Sequence, residues 1–103
     1  MRERACERGA VVSDDVRLSA WVHGLVQGVG FRWWTRARAL ELGLTGSARN
    51  TSDGRVHVIA EGSRANCEKL LGLLRSGTTP GRVDLVVEDW GPAQGEFSGF
   101  VER

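Results

Sequence analysis

The stretch His23-Gly24-Leu25-Val26-Gln27-Gly28-Val29-Gly30-Phe31-Arg32 joins an alternating apolar strand to a helical pattern through a turn that holds three glycines. Glycines allow positive φ angles there, so several backbone N–H groups can point at one spot. The following helix adds its unpaired N–H groups and the positive end of its dipole. Arg32 closes the turn with a fixed charge whose planar fork suits a tetrahedral oxyanion. The stretch predicts a phosphoryl group held by backbone amides and Arg32.

The same pattern also fits a plain connecting turn followed by a surface arginine. Two known phosphate loops are excluded by the sequence of the turn. No Gly-Lys-Ser/Thr follows the glycines, and their spacing is not the Gly-x-Gly-x-x-Gly fingerprint of dinucleotide-binding proteins.

The elements on either side of the turn are a strand and a helix. From Arg17 to His23, alternate residues are apolar, which is typical of a half-buried strand. This apolar face consists of Leu18, Ala20 and Val22. After the turn, helical spacing predicts a helix that ends near Gly43. Its predicted stripe is Trp33, Ala37, Leu40 and Leu44, flanked by Phe31, Trp34 and Leu42. Periodicity leaves open which tryptophan faces the core.

The rest of the chain predicts four more strands and a second helix, with a hairpin turn at Asp53-Gly54. The strands are expected at about Thr45–Asn50, at Arg55–Glu61 with Val56, Val58 and Ala60 inward, and from Val83 to Trp90 with Val83, Leu85 and Val87 as the apolar set. Ser63 caps a helix whose buried stripe is Cys67, Leu70, Leu71 and Leu74. A short last strand is expected around Phe97 to Val101.

This order of elements predicts an α+β fold, the ferredoxin-like split βαβ sandwich, in which an antiparallel sheet carries two helices on one face. In this topology the first and third strands pair in the middle, and the second strand borders the third. Asn50, at the end of the second strand, can therefore come near the start of the first helix. Its amide could hold a water molecule beside a bound phosphate. Alternatively, Asn50 merely opens the turn that follows it.

Composition indicates an ordinary soluble protein of 103 residues with a net charge of +1. This balance argues for neither nucleic acid nor an anionic membrane as a partner. Residues 1–15 lack the apolar run of a signal peptide and are expected to form a mobile tail, which leaves residues 16–103 as the domain. No window has the apolar length of a membrane span. Cys6 and Cys67 have no zinc-site spacing, so we expect a reduced, cytoplasmic protein without a metal.

Two motifs resemble the signatures of the acylphosphatases. Gly24 to Arg32 resembles the first signature, and Gly46-Ser47-Ala48-Arg49-Asn50, followed by Gly54-Arg55-Val56 and Gly62, resembles the second. Both occur in the family's order and spacing, and the similarity runs from about Arg17 to the C-terminus. One residue departs from the pattern, because Ser47 stands where the family usually has an aromatic residue after the glycine. This change concerns packing beneath the second strand more than chemistry.

The resemblance implies a hydrolase that splits small acyl phosphates into a carboxylate and inorganic phosphate, without a metal or other cofactor. Arg32 matches the family's phosphate-binding arginine, and Asn50 matches the asparagine that orients the attacking water. The phosphate loop corresponds to the backbone of Gln27, Gly28, Val29, Gly30, Phe31 and Arg32. No residues that would recognise the acyl part can be identified in the sequence, so broad substrate specificity is expected. A monomer is the expected oligomeric state.

Two other functions fit the same fold class, since a fold alone does not decide function. An RNA-binding module would need paired aromatic residues and a basic sheet face, whereas Trp21 is the aromatic residue on the outward face of the first strand. A regulatory module that binds acyl or carbamoyl phosphate without turnover would use the same loop, so the sequence leaves it open. His23 and His57 are interpreted as exposed strand positions and not as catalysts.

Overall fold

The computed structural model describes residues 15–103. Except for Asp15, the predicted tail lies outside the described residues, and so does Cys6. The elements are β1 (Val16–Leu25), α1 (Phe31–Glu41), β2 (Thr45–Asn50), β3 (Val56–Gly62), α2 (Arg64–Leu74), β4 (Arg82–Pro92) and β5 (Phe100–Glu102). Their order confirms the predicted ferredoxin-like α+β fold. Neither helix in this part of the chain combines the length and apolar character needed to cross a membrane.

The strands form one sheet in the order β4-β1-β3-β2-β5. As predicted, β1 and β3 lie side by side in the middle, and β2 borders β3. The pairs among β1, β2, β3 and β4 are antiparallel. The short strand β5 pairs in parallel with β2, so the sheet is mixed at this edge.

The core lies between one face of the sheet and the two helices. Alternate residues of the central strands are buried there, as the sequence predicts: Leu18, Ala20, Val22, Val56, Val58 and Ala60. The predicted stripe of α2 is also buried, and it consists of Cys67, Leu70, Leu71 and Leu74. At the start of α2 the hydroxyl of Ser63 accepts a hydrogen bond from the backbone N–H of Asn66 at 3.2 Å, which confirms the predicted cap.

The predicted stripe of α1 was wrong in its phase. The buried residues of this helix are Phe31, Thr35 and Ala39, whereas Trp33 is 62% exposed and Leu40 is 46% exposed. Trp34 is the tryptophan that packs against the core. Apolar side chains occur on more than one face of α1, so periodicity does not determine which face is buried.

The predicted apolar face of β4 was wrong as well, because a β-bulge changes the phase of the strand. His23 pairs with Leu85 and Gly24 pairs with Val83, so Asp84 has no partner in β1. One inserted residue reverses which side chains face the core. Val83 therefore packs inward before the bulge and Val86 after it, while Leu85 is 54% exposed and Val87 is 45% exposed. A Cβ on Gly24 would lie 2.0 Å from the carbonyl oxygen of Arg82, so this close approach requires glycine.

A crossing segment, residues 93–99, connects β4 at one edge of the sheet to β5 at the other. The carboxylate of Glu61, which is 5% exposed, accepts hydrogen bonds from the backbone N–H groups of Gln94 at 2.9 Å and Gly95 at 3.0 Å. Arg17 bonds Glu61 through Nε and Glu96 through Nη2, each at 2.7 Å. These contacts attach the crossing segment to the central strands.

Candidate active site

The loop between β1 and α1 leaves the N-terminus of α1 without a side-chain cap. Gly28 and Gly30 have φ angles of 76° and 84°, in the left-handed region that favours glycine. Gly30 is the N-cap residue and offers no side chain to the N–H groups of the first turn. No acidic residue occupies that turn. The first-turn N–H groups and the positive end of the helix dipole are therefore available to an anion.

A pocket of about 80 Å³ opens beside this loop. It brings Arg32 and Asn50 together with the loop, as the sequence predicts, and its lining residues are Val26, Gly28, Gly30, Phe31, Arg32, Trp33, Asn50 and Glu102. Gln27 and Val29, which the sequence also places in the loop, do not line it. Val29 is 43% exposed, and the side chain of Gln27 is directed to the hairpin described below. Ser47 is buried in β2 and does not line the pocket.

Arg32 and Asn50 both bind one backbone oxygen at the end of the chain. The Nη1 group of Arg32 donates a hydrogen bond to the oxygen of Arg103 at 2.9 Å, and the backbone N–H of Asn50 donates to the same oxygen at 3.3 Å. Arg103 is held in turn by its N–H, which donates to the carbonyl of Ala48 at 2.8 Å. The end of β5 therefore forms one wall of the site. Among residues 15–103 the other N–H groups of the Arg32 guanidinium have no protein acceptor, so they can donate to another molecule.

Asn50 is the last residue of β2 and pairs with Val56, a core residue. Its side-chain oxygen Oδ1 is buried and has no hydrogen-bond partner among residues 15–103. A buried polar atom without a partner costs free energy, and such atoms are rare in folded proteins. Asn50 Oδ1 is thus placed to accept a hydrogen bond from a molecule in the pocket that it lines.

The hairpin turn after Asn50 contacts the loop through Gln27. The amide nitrogen Nε2 of Gln27 donates hydrogen bonds to the carbonyl oxygens of Thr51 and Arg55, both at 2.8 Å. Within the turn, Gly54 has a φ of 91°, as the Asp-Gly pattern predicts. Hydrogen bonds from Arg55 and from the Thr51 hydroxyl lower the pKa of Asp53, and this keeps its carboxylate charged.

His57 lies on the face of the sheet opposite the helices and does not line the pocket. Its ring stacks on Trp21 with centroids 3.7 Å apart, and its Nε2 lies 2.7 Å from the hydroxyl of Ser19. Burial, together with the charges of Arg49, Arg55 and Arg17, lowers the pKa of His57 to about 4. The imidazole is therefore neutral at pH 7. Among the described residues, no three His, Cys, Asp or Glu side chains are grouped so that they could hold a metal ion.

Three components of the site are not predicted from the sequence. They are the side-chain contacts of Gln27, the lining residue Glu102 and the oxygen of Arg103. Glu102 and Arg103 reach the site because β5 pairs in parallel with β2. A strand of three residues is too short for its sequence pattern to predict this pairing. Gln27 was assigned to the loop only through its backbone.

The chain is similar to known proteins in both sequence and fold. The acylphosphatase family model matches residues 18–101. The chain is 78% identical over 90 residues to an acylphosphatase of Nocardia farcinica, and the alignment covers 87% of this chain and 90% of that protein. The identity to an acylphosphatase of Mycolicibacterium smegmatis is 71% over 90 residues, covering 87% and 92%. The crystal structure of acylphosphatase from Bacillus subtilis superposes with a TM-score of 0.80 at 26% identity, covering 85% of this chain and 98% of that one. The chain belongs to the acylphosphatase family.

Proposed function

We propose that this protein hydrolyses the carboxyl–phosphate bond of acyl phosphates to a carboxylate and inorganic phosphate. Membership of the family supports this activity. The assignment of roles rests on the observation that the glycine loop, Arg32 and Asn50 line the same pocket. In this proposal, the first-turn N–H groups and Arg32 bind the phosphoryl oxygens, and Asn50 orients the attacking water.

The chemistry of the substrate explains why so few side chains are needed. The leaving group is a carboxylate whose conjugate acid has a pKa of roughly 4, so no general acid has to protonate it. The difficult step is to bring water onto an anionic phosphoryl group. Dipoles and positive charge directed at the phosphoryl oxygens lower this barrier, as in other phosphoryl transfers.

In the proposed step, the buried Oδ1 of Asn50 accepts a hydrogen bond from the water and holds it in line with the acyl–oxygen bond. A bond forms between the water oxygen and phosphorus, while the bond from phosphorus to the acyl oxygen breaks. The carboxylate leaves with the electron pair of that bond. One of the water's two protons moves to a phosphate oxygen, and the other stays on the attacking oxygen, so neither histidine is needed as a base. The proposed step also uses no metal ion.

Hydrolysis of benzoyl phosphate with a chelator present tests this proposal. We expect an active wild type that inorganic phosphate inhibits, and a loss of about 10²–10³ in kcat/KM for both Arg32→Gln and Asn50→Ala. Arg64→Gln and Asn66→Ala on α2 are matched controls that should keep full activity. Circular dichroism checks that every variant is folded. Turnover should not follow a histidine titration between pH 5 and 8.

Three results would contradict the proposal. A metal requirement revealed by the chelator, or a histidine limb in the pH profile, would overturn the proposed mechanism. A folded wild type that binds phosphate but does not turn over would instead favour the non-catalytic module that binds acyl or carbamoyl phosphate.

We also propose that the protein acts in the cytoplasm as a monomer on small acyl phosphates, without nucleic acid. The free thiol of buried Cys67 supports a reducing location. The net charge of +1 supports the absence of nucleic acid as a partner. Light scattering at increasing protein concentration tests the monomeric state.

A further inference from the structure

The side chain of Gln27 joins two parts of the site that belong to different elements. Gln27 lies in the loop after β1, whereas Thr51 and Arg55 are the first and last residues of the hairpin turn between β2 and β3. Both hydrogen bonds from Gln27 Nε2 are 2.8 Å long. Their acceptors stand at the base of the turn, where the N–H of Thr51 also donates to the carbonyl of Arg55 at 2.9 Å.

Backbone pairing between the two parts ends before the site begins. The register of β1 with β3 extends to Val22 and Val56, and the next residues of β1 pair with β4 instead. The loop and the turn therefore continue beyond the last paired residues of β1 and β3. The two bonds from Gln27 span this gap. One of their acceptors, the carbonyl of Thr51, belongs to the residue that follows Asn50.

Asn50 depends on its backbone for its position. Its Oδ1 atom has no hydrogen-bond partner among residues 15–103, so a side-chain bond to this oxygen does not fix the amide. The place of Asn50 relative to the loop is set by its pairing with Val56, by the turn that follows and by its N–H bond to the oxygen of Arg103. A displacement of about 1 Å between a catalytic group and the reacting atoms can reduce a rate by about 10²-fold.

We propose that the Gln27 side chain is a positioning residue, which holds Asn50 in register with the phosphate loop by bonding the carbonyls of Thr51 and Arg55. This inference rests on the proposed function. The loop amides and Arg32 bind the phosphoryl group, whereas Asn50 orients water. Loss of the two bonds therefore lowers kcat and leaves phosphate binding nearly intact.

The first test replaces Gln27 with methionine, which has a similar length but no donor. We expect kcat for benzoyl phosphate to fall about tenfold, while inhibition by inorganic phosphate changes less than about twofold. Asn66→Ala is a matched control, because the Asn66 amide also donates to a backbone carbonyl, that of Leu42, at 2.9 Å. This control should lower the melting temperature without lowering kcat. An equal loss of kcat and phosphate affinity in Gln27→Met would overturn the inference.

A second test uses Gln27→Glu. An ionised carboxylate there donates no hydrogen bond and faces two carbonyl oxygens, whereas the protonated acid donates one bond. Facing carbonyl oxygens and partial burial raise the pKa of the introduced carboxyl above about 4.3. We expect its kcat relative to wild type to rise as the pH falls toward 5, and Gln27→Met to show no such rise.

A double-mutant cycle with Asn50→Ala completes the test, since a residue that acts through Asn50 should cause no further loss once Asn50 is absent. If Asn50→Ala has no measurable turnover, the pH profile of Gln27→Glu decides, and a flat ratio to wild type would refute the positioning role. Failure of the proposed function looks different, because the wild type itself would then be inactive.

Discussion

Trp33 and Trp34 are neighbours in the chain, yet α1 places them in different surroundings. Trp33 is 62% exposed at the rim of the pocket. Trp34 packs against the core, with its ring 6.1 Å from that of Phe31, and the guanidinium of Arg38 lies 5.8 Å from its centroid. Burial, and not residue type, decides what each indole contributes to stability.

This difference predicts unequal effects of truncation. Trp34→Ala should lower the free energy of unfolding by about 2–4 kcal/mol, because it removes apolar contacts from the core. Trp33→Ala should change it by less than about 1 kcal/mol, since most of that indole stays in water. Urea unfolding followed by circular dichroism measures both variants, and similar losses for the two would contradict this assignment.

At the scale of elements, the crossing segment depends on a carboxylate that a central strand supplies. Burial by itself would raise the pKa of Glu61, but hydrogen bonds from Gln94, Arg17 and Gly95 outweigh it and lower the pKa below the ordinary value. A lowered pKa means that the folded state binds the proton less readily than the unfolded chain does. The stabilisation is therefore present above the unfolded pKa and is lost as the pH falls through the folded one.

Glu61→Gln should accordingly destabilise the protein by about 1–3 kcal/mol at pH 7, since it removes the charge from three hydrogen bonds. The difference from wild type should shrink as the pH falls below the usual glutamate pKa. Urea titrations at pH 7 and near pH 3.5 measure this change. Glu68→Gln is the control, because Glu68 is exposed and its pair with Arg64 on α2 is 3.8 Å long. A loss that does not vary with pH would argue against a charged Glu61.

How much could be predicted also differs between elements. The strands β1 and β3 and the helix α2 bury the apolar faces that periodicity predicts. Glu61, on the other face of β3, is buried as well, because it is held against the crossing segment. Periodicity does not identify the buried residues of α1, because this helix is apolar on several faces. It also fails for β4, because the bulge at Asp84 depends on pairing with β1. At the site, Arg32 and Asn50 followed from local motifs and topology. The partners of Gln27 and the oxygen of Arg103 required the tertiary register, which local patterns do not contain.

At the scale of the whole molecule, Cys67 can report on global unfolding. Cys67 is 0% exposed on the buried face of α2, and its Sγ lies 3.7 Å from the carbonyl oxygen of Ala60. Burial, with smaller effects from the charges of Asp15 and Glu61, raises the pKa of the Cys67 thiol to about 11. The thiol is thus both inaccessible and protonated at neutral pH.

We expect a thiol reagent to label Cys67 at least about 10³-fold more slowly in the native protein than in denaturant. A Cys6→Ser variant removes the other cysteine and makes the signal specific. The labelling rate should increase with urea in parallel with the unfolding measured by circular dichroism. Fast labelling that does not depend on urea would mean that α2 opens locally.

The bulge at Asp84 has a consequence beyond the phase of β4. This strand is an edge of the sheet and is 11 residues long, so a flat, regular β4 would offer a template to which another chain could add. The bulge interrupts that template, and Pro92 removes an N–H donor at the end of the strand. The strand also carries the charged residues Arg82, Asp84, Glu88 and Asp89. The irregularity that misleads a reading of periodicity thus protects the folded protein against edge-to-edge aggregation.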